Sequence, residues 1–342
     1  MKALKIAGLT ILGLVLLIIL VVVVLGLIAP RNYHVERSIG INAPQELVFR
    51  QVQYWKNWTA WSPWAEHDST MKVTVEGIDG RDGSVYHWEG DPKITGSGEM
   101  TNTGVTPNEK MTYHLHFMVP WESESDGHVE VEKISEDSTK ATWAFYGDYP
   151  FPWNAMLLFM PMEKMMGPNF ERGMELLKEV CEKKREKISS FEIQTERFRG
   201  GNYAAIRKEV MLSDMRSFFE TSYSTLQKAI QESGVSFAGV PAGFFYEWDE
   251  ETGKTEVAAA IPVRGRVQGD SVQMIRIAPS KALVINYYGP YENVELAHFA
   301  MMDYFQNNNL TLAGSVVEEY VTDPQQELDP NKWLTRVIYP VQ

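Results

Sequence analysis

The last part of the chain repeats an earlier part. Near the C-terminus LTLAGSVVEEYVTDP is followed by NKWLTRVIYPV; earlier, VSFAGVPAGFFYEWD is followed by KTEVAAAIPV. Each copy has an alternating apolar entry, an Ala-Gly pair, a strand carrying aromatics, a polar turn, and a strand closing on Pro-Val. A duplicated segment must fold as two equivalent halves, and such halves form a pseudo-symmetric domain with a groove between them. The copies differ at one informative place: Gly243 stands where the second copy carries Glu318.

At 342 residues the chain is too long for one ordinary domain. A hydrophobic content of 44% and a charged content of 23% let two domains bury cores. The net charge of −13 argues against a phosphate-binding surface, and no helix-turn-helix pattern or basic face is evident, so nucleic acid is not an expected partner. One cysteine, Cys181, excludes an internal disulfide and a cysteine metal cluster; it sits in helical sequence as a packing residue. No cofactor or metal is expected.

Ile6 to Ala29 carries no charge, and LLIILVVVVLGLI is almost wholly aliphatic. At ~1.5 Å per residue this run spans a ~30 Å hydrocarbon core. The exit LIAPRN differs from a small-residue cleavage site, which favours an uncleaved single-pass anchor, residues 1–31, over a signal peptide. Lys2 and Lys5 flank one end; Arg31 and Arg37, with Glu36, flank the other. The slight bias points to an inside N-terminus and extracytoplasmic domains.

Residues 32–188 read as a first domain. YHVERSIGINAP alternates as a half-buried strand, and PQELVFRQV follows with Leu47, Val48 and Gln51 at helical spacing. After the aromatic loop WKNWTAWSPW come six strand-like segments separated by turn signals. A short helix ends near Phe159, and a longer one is expected to begin after Gly167-Pro168, with Phe170, Met174, Leu177 and Cys181 as its apolar stripe. The entry VERSIGINAPQELVFRQV, the segment Trp58 to Trp64, GSVYHWEG and FERGMELLKE, in this order, resemble the START-like or polyketide-cyclase-like helix-grip family (the SRPBCC superfamily). The resemblance implies a curved antiparallel sheet around a long C-terminal helix, with an apolar cavity for a hydrophobic small molecule. It implies no shared catalytic set. Trp55, Trp58, Trp61 and Trp64 fit a cavity mouth, a bilayer contact or plain core packing. His114 and His116 share a strand face, but no third metal ligand is fixed by spacing; a solvated or cavity face is the simpler reading.

Residues 189–342 read as a second domain in which strand, helix, strand, strand occurs twice, an α+β architecture. Alternation puts Glu318 and Tyr320 on one face of a strand and Glu319 on the other. Tyr287, Tyr288, Tyr291 and Trp333 lie in neighbouring elements. A carboxylate among rings suits an organic cation; a solvated strand edge beside core aromatics is the plainer alternative. YYGPYENVELAHFAMMDYF, LAGSVVEEYVTDP and NKWLTRVIYPV resemble the GyrI-like effector-binding domain, which also occurs in AraC-type regulators. That resemblance implies Glu318 as polar anchor, Tyr320, Asp323 and Pro324 as its motif companions, and Tyr288, Tyr291 and Trp333 as walls. Glu319 departs from the pattern and competes for the inward position.

The resulting expectation is a membrane-anchored binding protein rather than an enzyme, with two tandem modules for hydrophobic, cationic or amphipathic compounds. The alternative is a hydrolase of reactive small molecules in which Glu318 and a tyrosine, Tyr320 or Tyr288, move protons. A third reading is a structural envelope protein with vestigial cavities.

Overall fold

The structure is a computed structural model that describes residues 2–249 and 252–342, without the side chains of residues 2–5 and 7. The chain divides into two compact units, Met1–Arg185 and Glu186–Gln342.

The uncharged N-terminal run forms one helix, α1 (Lys2–Ile28). Its stretch Gly8–Ile28 is long and apolar enough to cross a membrane, a property that an anchor and a signal sequence share. The Lys2 and Lys5 side chains and the amino terminus, which carry the orientation argument, lie outside the described residues. Alternation then produces β1 (Asn32–Ile41), with Val35 and Ile41 buried. Three short helices follow: α2 (Gln45–Gln53), α3 (Trp55–Trp58) and α4 (Pro63–His67). Leu47, Val48, Gln51 and Val52 form the buried stripe of α2. The strands are β2 (Lys72–Glu76), β3 (Val85–Glu89), β4 (Ser97–Thr106), β5 (Lys110–Val119), β6 (Ser123–Ser135) and β7 (Ser138–Asp148). They form one antiparallel sheet, ordered β1-β7-β6-β5-β4-β3-β2. A 3-10 helix, Trp153–Leu158, leads into α5 (Met162–Ser189).

α5 starts six residues before the expected point and carries Pro168 inside it. A proline there removes one hydrogen bond, the one to the Lys164 carbonyl. The preceding turn is held independently, because Arg37 Nη2 donates to Glu163 at 2.6 Å. Cys181 is buried in α5, and burial pushes its thiol up to about 12.

The Trp run is core. Trp55, Trp58 and Trp61 are almost wholly buried, and their indole N–H groups donate to Ser84, Val52 and Gln51 backbone oxygens. Trp58 and Trp61 stand against Trp143 of β7, whose ring lies 4.2 Å from Phe170 of α5. Rings thus occupy the space between sheet and long helix. His114 and His116 share a face as expected, but each turns to its own carboxylates: Asp126 at 3.0 Å, and Glu122 at 3.4 Å with Glu99 at 3.8 Å.

The second unit opens with β8 (Gln194–Phe198), β9 (Gly201–Met211) and α6 (Met215–Glu232). Next are β10 (Ser236–Phe237), β11 (Ala242–Asp249), β12 (Lys254–Arg264), β13 (Gln273–Ile277) and β14 (Ser280–Tyr288). α7 (Glu295–Asn307), β15 (Val316–Tyr320) and β16 (Leu334–Val341) complete it. The strand order is β13-β9-β12-β11-β15-β16-β14-β8, with β10 beside β12. The duplication is visible in that order: β9-β12-β11 of one half faces β15-β16-β14 of the other. The strands that introduce each half are exchanged. β8, which precedes β9, pairs with β14, and β13, which precedes β14, pairs with β9. The two sheet faces carry separate apolar clusters. Leu226 and Ile230 of α6 pack with Ala204, Ala259 and Ile261, while Phe244, Val317 and Ile338 belong to the opposite face.

Filling the space between sheet and α5 with rings makes each ring expensive to remove. Trp143→Ala should cost roughly 3–5 kcal/mol, read as a shift in the urea unfolding midpoint of the first unit. A cost below about 1 kcal/mol would mean that the rings surround open space instead.

Candidate functional site

The central strands β11 and β15 are antiparallel, and their register sets Gly243 directly opposite Glu318. These are the residues that the duplication makes equivalent, so the pseudo-twofold axis passes between them. Two glutamates here would sit across from one another at ~4.5–5.5 Å, with both charges turned to one face. Like charges so placed disfavour each other's ionised form. The axis therefore admits one carboxylate. A Cβ on Gly243 would also come within 3.0 Å of Tyr320 Oη and 3.1 Å of Phe219 Cζ.

Glu318 is 6% exposed, yet both oxygens are satisfied. Tyr320 Oη donates to Oε2 at 3.0 Å. His298 Nε2, on α7, lies 2.9 Å from Oε1, and its Nδ1 lies 2.9 Å from Tyr339 Oη on β16. With Glu318 ionised, Nε2–H must be the donor, because a carboxylate only accepts. A neutral ring then accepts from Tyr339; a protonated ring donates to it.

Rings collar this charge. Tyr320 lies 6.1 Å from Phe219, 6.2 Å from Tyr223 and 5.4 Å from Tyr291, and Tyr291 lies 5.0 Å from Trp333. The Tyr223 and Thr335 hydroxyls are buried with no hydrogen-bond partner among the described residues. Burial first, and the Glu318 charge second, hold the Tyr320 and Tyr223 hydroxyls well above their ordinary range. Tyr291 is raised too, by burial and then by Asp323. These phenols stay protonated at neutral pH, as donors rather than bases.

The register separates the sequence candidates. Glu318, Tyr320, Tyr291 and Trp333 come together. Glu319 turns to the opposite face, where Arg336 bridges it to Glu196 with two contacts of 2.6 Å. Tyr288 does not join the group. It pairs across β16 with Leu334, on the face opposite Glu318, and is 57% exposed. Alternation gives the inward place to Tyr287, which faces Thr335 and donates to the Pro290 carbonyl at 3.0 Å. Asp323 accepts from Gln325 N at 2.9 Å in the turn after β15. His298, Tyr339 and Tyr223 escaped sequence reasoning. One signal was available: of the seven histidines, His298 alone falls in the second unit. No group of three or more His, Cys, Asp or Glu side chains suited to a metal occurs among the described residues. A depression of about 640 Å³ between α6 and β9, lined by Met211, Phe218 and Thr225, includes none of the Glu318 cluster.

Residues 33–182 match the family described as polyketide cyclase / dehydrase and lipid transport, and residues 191–342 match the GyrI-like small molecule binding domain. No curated protein matches the chain. Solved structures to which it is similar include the EcmrR C-terminal domain, at 16% identity over 45% of this chain and 98% of that one, TM-score 0.42. Another is SAV2435 bound to tetraphenylphosphonium, at 15% identity over 44% of this chain and 94% of that one, TM-score 0.34. A third is the Aha1 dimer from Colwellia psychrerythraea, at 13% identity over 44% and 96%, TM-score 0.33.

The two hydroxyls near Glu318 should behave differently on removal. Tyr320→Phe deprives a buried carboxylate of a donor and should cost about 1.5–3 kcal/mol in chemical denaturation. Tyr223→Phe removes an unpaired hydroxyl and should stay within roughly 0.5 kcal/mol of the parent. Equal losses would contradict the assigned pairing.

Proposed function

We propose that this chain, a polyketide cyclase-like domain followed by a GyrI-like small-molecule-binding domain, is a membrane-anchored receptor for hydrophobic cations. The anchor is α1, and the two units lie outside the cytoplasm, an orientation that the lysines before the span support. The supporting observation is the arrangement around Glu318: a desolvated carboxylate, hydrogen-bonded by its own histidine and tyrosine, inside a collar of rings. Ring faces attract a cation, and a carboxylate sheltered from water attracts it more strongly than an exposed one. Glu318 is the counter-charge; Tyr320, Tyr291 and Trp333 are the walls. A bound cation would take over the role that His298 plays in the free protein.

The Glu318–His298–Tyr339 chain also favours a second reading, a hydrolase. A carboxylate that holds an imidazole can act as an acid–base pair, although the tyrosines, held protonated at neutral pH, cannot take up a proton. One set of measurements tests both readings. Full chain in detergent should bind tetraphenylphosphonium well above tetraphenylborate, a probe of like shape and opposite charge. Glu318→Gln, measured by calorimetry, should weaken the cation at least about tenfold, ~1.4 kcal/mol, and leave the anion unchanged. Unchanged cation affinity would remove Glu318 from the role. Turnover of ester or epoxide substrates by the parent, lost in Glu318→Gln, would favour the hydrolase.

A further inference from the structure

Apolar side chains crowd the surface at one end of the first unit. The 3-10 helix Trp153–Leu158 and the residue after it leave Trp153, Met156, Leu158 and Phe159 exposed, Phe159 to 72%. Trp121, in the turn between β5 and β6, is also exposed. The register brings that turn to the end of the sheet where β1 begins. Asn32 pairs with Asp148, Phe117 pairs with Ser123, and Tyr33 Oη lies 2.7 Å from Ser125 Oγ. Large exposed apolar side chains gathered at one end of a unit mark a contact that the isolated chain does not make.

What these residues adjoin identifies the contact. The same 3-10 helix is clamped to the last turns of α1. Asn154, fully buried, donates through Nδ2 to the Gly26 carbonyl at 2.7 Å and the Ala29 carbonyl at 3.1 Å. It thereby satisfies acceptors that a helix end leaves without intrahelical partners. The Phe151 ring packs on Gly26 so closely that a Cβ there would lie 3.1 Å from it. The apolar stretch Gly8–Ile28 has 21 residues, ~31 Å of helix, close to a ~30 Å hydrocarbon core. Gly26 lies two residues from its end, or ~3 Å along the axis. The half-buried Val22 and Val23 extend the covered part of the helix to ~9 Å from that end. The clamp therefore holds Trp153–Phe159 at the depth where acyl chains give way to headgroups. Trp rings favour that depth, and interfacial segments bury their apolar faces ~5–10 Å into it.

We infer that Trp153–Phe159, together with Trp121, forms a lipid-contacting surface that seats the first unit on the bilayer. This rests on the reading of α1 as a membrane span. Of the charged residues around this surface, Glu122, Glu124 and Asp148 outnumber Arg31, so anionic headgroups are not required, the attraction is mainly apolar, and zwitterionic lipid is sufficient. Only Ala29 to Arg31 separate α1 from β1, so the clamp and this surface together fix the height of the first unit above the membrane.

The test uses the full chain in phosphatidylcholine vesicles, with a nitroxide on one introduced cysteine at a time. The native Cys181 is buried and stays unlabelled. Phe159→Cys and Trp153→Cys probe the surface. Leu16→Cys reports the span, and Glu136→Cys, on a turn with an 89% exposed side chain, reports water. Accessibility to oxygen, which concentrates in lipid, is compared with accessibility to a water-borne nickel chelate. Positions 159 and 153 are expected to follow position 16, with an oxygen-to-nickel ratio several-fold above that of position 136. If position 16 reads as lipid while 159 and 153 read as water, the surface is wrong and the anchor stands. If position 16 reads as water, both fall. If 159 and 153 are shielded from both reagents, a protein partner covers them and the lipid assignment is overturned.

Discussion

Moving a carboxylate from water into a sheet's packed face costs several kcal/mol unless its charge is met and both oxygens are bonded. Glu318 stands in that position, on the central strand of the second unit. Much around it follows from meeting that cost. α7 brings His298 to one oxygen, β15 supplies Tyr320 to the other two residues away on the same face, and β16 supplies Tyr339 to fix the imidazole. Removing one partner of such a set strands a buried charge, which is far more damaging than losing a surface ion pair.

The same charge accounts for the asymmetry of a symmetric scaffold. Duplication sets position 243 opposite position 318 across the axis, and exchange of β8 and β13 binds each half to the other's edge. A site on the axis is shared by both halves, so it has room for one carboxylate and one empty place. Glycine leaves that place to the Tyr320 hydroxyl. The first unit differs in kind. Its space between sheet and helix is taken by Trp58, Trp61, Trp143 and Phe170, whose indole groups all find partners. Stability there comes mainly from packed rings, and its buried carboxylate, Asp68, is met by hydroxyl and backbone N–H donors of Thr70, Asp91 and Thr95 rather than by an imidazole.

Much of this was legible in the sequence because it is local. Alternation, turn residues and helical stripes gave the order of elements in both units, and the mismatch of Gly243 with Glu318 pointed to the centre of the site. What stayed hidden depends on distant segments or on register. His298, Tyr339 and Tyr223 reach Glu318 from three elements, and no spacing encodes that meeting. A shift of one residue exchanges Tyr288 for Tyr287, because successive strand residues face opposite sides. Glu318 and Glu319 were ambiguous for the same reason, until the pairing of Arg336 with Glu319 and Glu196 settled which one turns away. The start of α5 was misplaced because proline is a strong stop signal locally, while an ion pair from β1 holds the turn before it.

The central claim is that Glu318 serves as the counter-charge for a hydrophobic cation and that the cation displaces the hydrogen bond His298 makes to it when none is bound. Determining the structure of the chain with tetraphenylphosphonium bound tests it most directly. The account predicts the phosphonium among Tyr291, Tyr320 and Trp333, within about 6 Å of their ring centres, with the bond between His298 and Glu318 opened. A cation lodged in the depression between α6 and β9, with the Glu318–His298 pair undisturbed, would contradict it.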